Sequence, residues 1–227
     1  MKQRGEHDLS YISSVFDRIS KNLNEEVTLY YIGGNAMCWY GLKDTTKDAD
    51  LVFIDKKEIE SFKFALLKSS FIEVEIVSDP EYRWIQPYGI FDEIKGTPLH
   101  EEFKPGIRID LFLNQICGGL NFSEGMRKRS KPHLISHMES MVCSREDIFL
   151  FKSITGRERD LMDMRILVEK GLSWDVITDE FIDQLKGMSL STKKVFVGIF
   201  NKSIRDLGRM YGAEIPISVL RRVNRVL

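Results

Sequence analysis

The stretch that most constrains the fold of this chain reads YIGGNAMCWYGLKDTTKDADLVF. One apolar segment ends at Gly33 and Gly34, and a second begins at Asp48 and Asp50. Two glycines after a strand let the backbone N–H groups of the turn approach an anion such as a phosphate. Residues two apart in a strand point to the same side, so the two aspartates would lie side by side. The stretch therefore predicts a phosphate-binding turn beside a pair of carboxylates.

Two neighbouring carboxylates repel each other unless a cation lies between them. Carboxylate oxygens suit Mg²⁺, which also keeps water and substrate phosphates as ligands, and Mn²⁺ accepts the same donors. We therefore expect Asp48 and Asp50 to hold Mg²⁺ or Mn²⁺. The alternative is a solvated strand end with two acids that do no chemistry, since charged residues are normally exposed.

A third acid, Asp110, lies in the apolar segment IRIDLFL. An acid in so apolar a strand needs a partner or a metal ion. We expect Asp110 to activate an acceptor hydroxyl or to bind a second metal ion. A surface pair of Arg108 with Asp110 on an edge strand is the alternative. Glu73 and Glu75 are rivals for the third position, although their alternation with apolar residues is typical of a solvent-facing side.

This order of motifs resembles the DNA polymerase β-type nucleotidyltransferase superfamily, which has Gly-Gly or Gly-Ser, then Asp-x-Asp or Asp-x-Glu, then a third acid on a neighbouring strand. In finer detail it is similar to the minimal nucleotidyltransferases related to abortive-infection toxins of bacterial toxin–antitoxin systems. Many members have Ser at the position of Gly34, and Ala49 replaces a larger aliphatic residue. The matching residues are Gly33, Gly34, Ala36, Gly41, Thr46, Asp48 and Asp50.

The resemblance implies an α/β (α+β) fold, with a small twisted mixed sheet, flanking helices and a C-terminal helical domain. It implies transfer of an NMP from an NTP such as ATP to a hydroxyl on an RNA 3′ end, for example tRNA, or on a protein. Gly33, Gly34 and Asn35 would bind the nucleotide. A toxin of this kind would have an antitoxin protein as partner. Two alternatives stay open: an antibiotic-type enzyme acting on a small molecule, and a catalytically silent nucleotide-binding or interaction module.

From Ser144 onward the chain reads as a series of helices. Ser144 and Asp147 resemble a capping box that opens the first of them. We expect a boundary near residue 143, with a nucleotidyltransferase catalytic domain over 1–143 and a helical domain over 144–227. The nucleotide would bind in a cleft between the two domains.

The helical half carries candidate residues of its own. Its segment SREDIFLFKSITGRERDLMDMRIL resembles a region of the same families, which implies that Lys152 contacts the nucleotide phosphates. Asp160 or Asp163 would position the acceptor or bind Lys152. These two aspartates share one helix face. The alternative is an ordinary charged helix surface in water.

Charge and hydropathy narrow the class of protein. The net charge is −1, so the chain has no global basic field for nucleic acid. Basic residues at 127–131 and 201–227 would contact an RNA backbone or form solvated faces. We expect no signal peptide, since the N-terminus is polar, and no membrane partner, since no apolar run approaches about 20 residues. Three scattered cysteines predict reduced thiols in a cytoplasmic protein.

Hydrophobic periodicity predicts the remaining elements. Over 71–77 we expect a strand whose buried side carries Ile72, Val74 and Ile76, and over 114–133 an irregular segment. Residues 79–105 would form short strands and turns, because Pro and Gly punctuate them. The helices are predicted over 8–23, 55–68, 144–155, 157–170, 173–186, 191–211 and 216–226, and the strands over 27–32, 49–54 and 107–113, with a short helix over 35–40.

Overall fold

A computed structural model of the chain describes residues 5–75, 84–94, 106–135 and 138–227. The chain divides into two compact units, Met1–Cys143 and Ser144–Leu227. The first unit is mixed α/β and the second is helical. The predicted fold class, a mixed sheet with flanking helices followed by a helical region, is confirmed. The catalytic role assigned to the first unit stays a prediction.

The first unit alternates strands and helices along the chain. Its first half contains β1 (His7–Asp8), α1 (Leu9–Ser20), β2 (Val27–Ile32), α2 (Gly33–Trp39), β3 (Thr45–Thr46), β4 (Asp48–Phe53), α3 (Lys56–Lys68) and β5 (Phe71–Glu73). Its second half contains β6 (Gly89–Glu93), β7 (Arg108–Leu113), β8 (Gln115–Ile116), a 3₁₀ helix (Cys117–Gly119), β9 (Leu120–Asn121), α4 (Glu124–Arg129), β10 (Lys131–Ile135) and β11 (Met138–Val142).

Seven strands in the described part of the chain form one mixed sheet in the order β10-β11-β2-β4-β7-β6-β5. The pairs β11–β2 and β4–β7 are parallel, and the other neighbours are antiparallel. The strand β7 lies between β4 and β6, so it is an interior strand. The chain direction places the end of β2 and the beginnings of β4 and β7 at the same end of the sheet, which we call the site edge.

One face of the sheet is covered by α1 and α3. The ring of Tyr31 packs on Phe16 of α1, with ring centroids 5.2 Å apart, and Phe53 packs on Phe62 of α3 at the same separation. All four side chains are essentially fully buried. Because side chains alternate along a strand, the aspartates of β4 face the side opposite these two helices.

Side-chain caps fix where α1 and α3 begin. Asp8 accepts a hydrogen bond from the Tyr11 N–H, and Asp55 accepts from the N–H groups of Lys57 and Glu58. These caps confirm the helices predicted to begin at both aspartates. The side chain of Glu58 does not complete a capping box but accepts from the backbone N–H of Thr28, at 3.1 Å, and so ties α3 to β2.

The strand predicted over 71–77 is shorter than expected, and its buried side was predicted wrongly. The observed β5 covers Phe71–Glu73, with Phe71 2% exposed and Ile72 48% exposed. The strand β5 lies at the edge of the sheet and pairs with β6. Its first residue reaches the core, and the next one faces solvent. Ile76 and most of the segment 79–105 lie outside the described residues.

The segment predicted to be irregular over 114–133 contains regular structure. Ser123 accepts a hydrogen bond from the Met126 N–H and caps α4, whose Met126 side chain is fully buried. The chain then enters β10, which pairs antiparallel with β11. These elements were missed because α4 has only six residues, too few for its helical periodicity to be recognised.

A buried carboxylate holds α1 against the sheet. Glu93 accepts hydrogen bonds from the Tyr11 hydroxyl, from Arg18 Nη2 at 2.6 Å and from the Ile107 N–H at 3.2 Å. Burial by itself would raise the pKa of Glu93, but the bonds from Tyr11 and Arg18 outweigh it and hold the pKa below its usual value. The cluster links α1 to the end of β6 and to the chain entering β7.

The second unit consists of helices. Ser144 accepts from the Asp147 N–H at 3.2 Å and caps the first of them, as predicted. Pro216, predicted as the first residue of the last helix, is its N-cap residue, and the helix begins at Ile217. No helix in the described part of the chain combines the length and apolarity needed to cross a membrane. The helices are α5 (Arg145–Thr155), α6 (Glu158–Glu169), α7 (Trp174–Leu185), α8 (Leu190–Tyr211) and α9 (Ile217–Asn224).

Candidate active site

The strand register gathers the three predicted aspartates at the site edge. Asp50 pairs with Asp110, and Asp48 pairs with Arg108, in the parallel ladder of β4 and β7. Paired residues on neighbouring strands lie about 5 Å apart and point to the same side of the sheet. The side chains of Asp48, Asp50 and Asp110 therefore share the face opposite α1 and α3. Asp110 is 5% exposed, whereas the other two are partly exposed.

The Gly-Gly turn lies directly against one of these carboxylates. Gly33 follows β2, whose last residue Ile32 pairs with Asp50. A Cβ atom on Gly33 would lie only 2.3 Å from Asp50 Oδ2, and the backbone φ of Gly33 is +61°. Both observations require glycine at this position. The Gly-Gly turn and Asp50, which were predicted to belong to one site, therefore lie next to each other.

The second glycine faces a hydroxyl and an ammonium group. A Cβ atom on Gly34 would lie 2.9 Å from Thr46 Oγ1 and 3.9 Å from Lys43 Nζ. The Thr46 hydroxyl donates to the Asp48 carbonyl oxygen at 2.9 Å, which fixes its position. A side chain at position 34 would therefore crowd Thr46, which accounts for the glycine found here.

Lys43 is a candidate site residue that our reading of the sequence missed. It lies in the connection between α2 and β3, and its ammonium group is beside the Gly-Gly turn. A cation there favours binding of phosphate oxygens. The signal available in the sequence was a lysine between the Gly-Gly and Asp-x-Asp motifs, but nothing in the pattern showed that the loop folds back.

Asn35, predicted to bind the nucleotide, is fully buried within α2. Neither its amide nitrogen nor its amide oxygen has a hydrogen-bond partner among the described residues. Buried amides are nearly always hydrogen-bonded, so this side chain is an exception in the first unit. Its predicted contact with a nucleotide stays a prediction.

Arg108 is held by Asp92, whereas the sequence suggested Asp110 as its partner. Its Nε and Nη2 atoms donate to Asp92 Oδ1 and Oδ2 at 2.6 and 2.7 Å. The alternative placed Arg108 and Asp110 on an edge strand, and this is wrong because β7 is an interior strand. The rival acid Glu73 lies in the edge strand β5 and pairs with Lys63 at 3.1 Å.

The donor atoms at the site edge are of the chemical type that binds divalent cations. Three carboxylates on one face provide the hard oxygen ligands that Mg²⁺ and Mn²⁺ prefer. The glycine at position 33 leaves room for the Asp50 carboxylate where a side chain would fill it. Among the described residues, no three His, Cys, Asp or Glu side chains are already arranged as a metal site. Binding would therefore require these carboxylates to rotate toward a common point.

The predicted residues of the second unit form a buried charge cluster. Lys152 Nζ lies 3.0 Å from Asp160 Oδ1 and 2.6 Å from Asp163 Oδ2. Asp160 also accepts from Arg157 Nε at 2.7 Å and from the Thr155 hydroxyl at 2.6 Å. All three predicted residues are less than one tenth exposed. The prediction that an aspartate binds Lys152 is met by both aspartates, and the contact with phosphates stays a prediction.

Charge compensation explains the ionisation of this cluster. Burial alone would raise the pKa of Asp160, but the ammonium of Lys152 and the guanidinium of Arg157 hold the pKa of that carboxyl well below its usual range. Burial would likewise lower the pKa of Lys152, and the two aspartates raise it instead. These shifts favour the charged forms of Asp160 and Lys152 at neutral pH.

Much of the basic charge predicted at 201–227 is paired with acids. Lys202 and Arg209 both contact Asp206, and Arg222 contacts Asp175 and Asp179 of α7. These pairings favour the solvated helical face over an RNA-binding surface. At 127–131, Lys128 pairs with Glu124, and Lys131 Nζ lies 5.8 Å from the ring centre of Tyr40 at the end of α2.

Comparison with protein-family models and with curated proteins finds no match for this chain. A solved structure that it resembles is the crystal structure of an antigenic nucleotidyltransferase-like protein from Paracoccidioides brasiliensis. The sequence identity is 16%, the TM-score is 0.48, and the alignment covers 95% of this chain and 99% of that chain. At this identity and TM-score we draw no conclusion about function from the similarity.

Proposed function

We propose that the protein is a metal-dependent nucleotidyltransferase that transfers an NMP from an NTP to a hydroxyl acceptor. The observation that carries the proposal is the placement of Asp48, Asp50 and Asp110 on one sheet face, with the Asp50 carboxylate against the Gly33 backbone. A phosphate-binding turn and a row of carboxylates in contact are the two parts that such chemistry requires.

The phosphates of the NTP would bind beside Gly33 and Gly34. The helix that begins there, α2, has only seven residues, so its dipole is not the main source of affinity. We assign the positive charge to Lys43, whose ammonium faces Gly34. Phosphate charge is then balanced by a lysine and oriented by backbone N–H groups of the turn.

Asp48, Asp50 and Asp110 would hold Mg²⁺ or Mn²⁺. Such a cation would supply positive charge that stabilises the attacking and leaving oxygens of an in-line displacement. The acceptor oxygen attacks the α-phosphorus, the bond to the bridging oxygen breaks, and pyrophosphate leaves. Asp110 is the residue we assign to take the proton of the acceptor hydroxyl, because its buried position keeps competing water away.

The proposal is tested by label transfer. Wild-type protein is incubated with each α-³²P-labelled NTP, Mg²⁺ or Mn²⁺, and total RNA, total protein or small-molecule hydroxyl acceptors. We expect transfer to one acceptor class, reduced at least about 100-fold in Asp48→Ala. Asp183→Ala, an exposed acid of α7 paired with Lys186, is the matched control and keeps full activity. A folded wild type that labels none of these acceptors contradicts the proposal.

A second candidate, a catalytically silent nucleotide-binding module, is favoured by one observation. No three metal ligands in the described part of the chain are already arranged as a site. Two measurements distinguish this candidate from a nucleotidyltransferase. A silent module binds NTP in equilibrium dialysis with an affinity that added Mn²⁺ does not change, and it releases no pyrophosphate in the presence of any acceptor.

The finer predictions rest on the sequence alone. They are an RNA 3′ end or a protein as acceptor, a toxin role with an antitoxin protein as partner, a cytoplasmic location, and contact of Lys152, Asp160 or Asp163 with the nucleotide. Expression in a bacterial host separates the toxin role from the chemistry: we expect growth arrest that Asp50→Ala abolishes. Normal growth with active enzyme present contradicts the toxin role and leaves the transferase proposal intact.

A further inference from the structure

Arg108 lies in the middle of a row of acids at the site edge. On one side it pairs in register with Asp48 of β4, and on the other with Asp92 of β6. Residues paired across a sheet point to the same side, so this row shares the face of Asp110. The guanidinium group therefore has carboxylates within reach on either side.

Asp92 orients this guanidinium group. Two parallel bonds of 2.6 and 2.7 Å join Arg108 Nε and Nη2 to the two carboxylate oxygens of Asp92. Such a bidentate pair fixes the plane of the guanidinium as well as its position. The side chains are 12% and 26% exposed, so water competes with the pair less than it does at an open surface.

A fixed arginine beside metal-binding carboxylates has two opposite effects. It lessens the repulsion between the acids when no cation is bound. It also competes with a cation for the same oxygens, and the competition grows if the guanidinium is able to turn toward them. The orientation that Asp92 imposes therefore influences how readily Asp48 and Asp110 accept a divalent cation.

We propose that Asp92 is a positioning residue for the candidate metal site: by binding Arg108 bidentately, it limits the competition of this guanidinium with a divalent cation for Asp48 and Asp110. The inference rests on the proposed function. Without the Asp92 charge, the guanidinium redistributes to the neighbouring carboxylates, and a cation must first displace it. Outer partners of metal ligands commonly change metal affinity by about 10- to 100-fold.

The test measures Mn²⁺ binding by electron paramagnetic resonance, without substrate, for the full chain. We expect Asp92→Asn to weaken Mn²⁺ binding about tenfold. The double variant Asp92→Asn with Arg108→Gln regains at least wild-type affinity, because the competing charge is gone. Glu73→Gln, which removes an acid paired with Lys63 in the edge strand, is the matched control and binds Mn²⁺ like the wild type. Circular dichroism verifies that each variant is folded.

The outcomes separate this inference from the proposed function. Wild-type affinity in folded Asp92→Asn overturns the inference alone, and so does a double variant that binds as weakly as the single one. A variant that loses thermal stability but keeps its Mn²⁺ affinity shows a merely structural role and likewise overturns it. Absence of Mn²⁺ binding in the wild type overturns both the inference and the metal-dependent function.

Discussion

The two units each contain a group of charged side chains, and these groups are organised in opposite ways. In the second unit, Lys152 contacts both Asp160 and Asp163, and Arg157 also contacts Asp160, so each of these carboxylates has a cationic partner. Among the described residues near the site edge of the first unit, four aspartates lie in the same region as two bases, a formal excess of two negative charges. These residues are Asp48, Asp50, Asp92, Asp110, Arg108 and Lys43.

This difference indicates different roles. A buried cluster whose carboxylates are paired with cations links α5 to α6, and breaking such a cluster is costly for the folded protein. An excess of acid on one face is unfavourable for the folded protein unless a cation reduces it. We therefore assign a structural role to the Lys152 cluster and a binding role to the site edge. The predictions below test this assignment.

The largest effect is expected from Lys152→Met. Removal of the ammonium leaves two carboxylates buried with less compensation, which costs about 3–5 kcal/mol of the free energy of unfolding. The control is Lys202→Met, since Lys202 pairs with Asp206 at 2.6 Å, the same distance as Lys152 from Asp163. Because this second pair is exposed, its loss should leave the unfolding free energy within measurement error.

Denaturant unfolding, followed by peptide-resolved hydrogen exchange, measures this comparison. Faster exchange should concentrate in peptides of α5 and α6 for Lys152→Met. If Lys152→Met is as stable as the wild type but no longer binds NTP, then Lys152 is a ligand-binding residue and the structural assignment is wrong.

The next effect concerns the contact between the turn and the acid. Gly33→Ala places a Cβ atom 2.3 Å from Asp50 Oδ2 and should reduce label transfer about 100-fold by displacing that carboxylate. Gly41→Ala is the matched control, since Gly41 has a similar φ of +64° and no atom within 4 Å of its Cβ position. Both variants should lose about 1 kcal/mol of stability from backbone strain. Equal activities of the two variants would contradict a functional contact at Gly33.

The smallest effect is a dependence of stability on acid pH. The folded-state pKa of Asp160 is lowered, so the stability it contributes is fully present above its unfolded pKa. This contribution is lost as the pH falls below about 4, because the unfolded carboxyl then takes up a proton first. We expect the difference in unfolding free energy between wild type and Asp160→Asn to shrink from pH 7 to pH 3. A difference that stays constant over this range would show that Asp160 is not held ionised by its neighbours.

Local motifs made the centre of the site predictable. Gly33, Gly34, Asp48 and Asp50 lie within one short stretch, and the alternation of side chains along β4 determines which face the acids share. Asp110 was recognised because an acid stands out in an apolar strand. Its position opposite Asp50 is a matter of strand register, which depends on packing between distant segments.

The features that could not be predicted from the sequence depend on strand register and on loop conformation. Asp92 was missed because it lies in a stretch with weak periodicity, and its partner Arg108 is 16 positions away. Lys43 lies in a loop whose return toward Gly34 no pattern encodes. In β5, a three-residue strand at the edge of the sheet, Phe71 reaches the core while Ile72 and Glu73 are both exposed, so alternation alone did not reveal which residue is buried.

The pairing of β2 with β11 has a consequence for how the protein is made. The strand that leads into the Gly-Gly turn is completed on one side by β11, the last strand of the first unit, and on the other by β4. Contacts between segments so far apart in sequence form slowly, because a long loop must close first. During synthesis, the sheet therefore cannot be completed until residue 142 has left the ribosome, and in shorter nascent chains β2, which leads into the Gly-Gly turn, lacks its neighbour on one side.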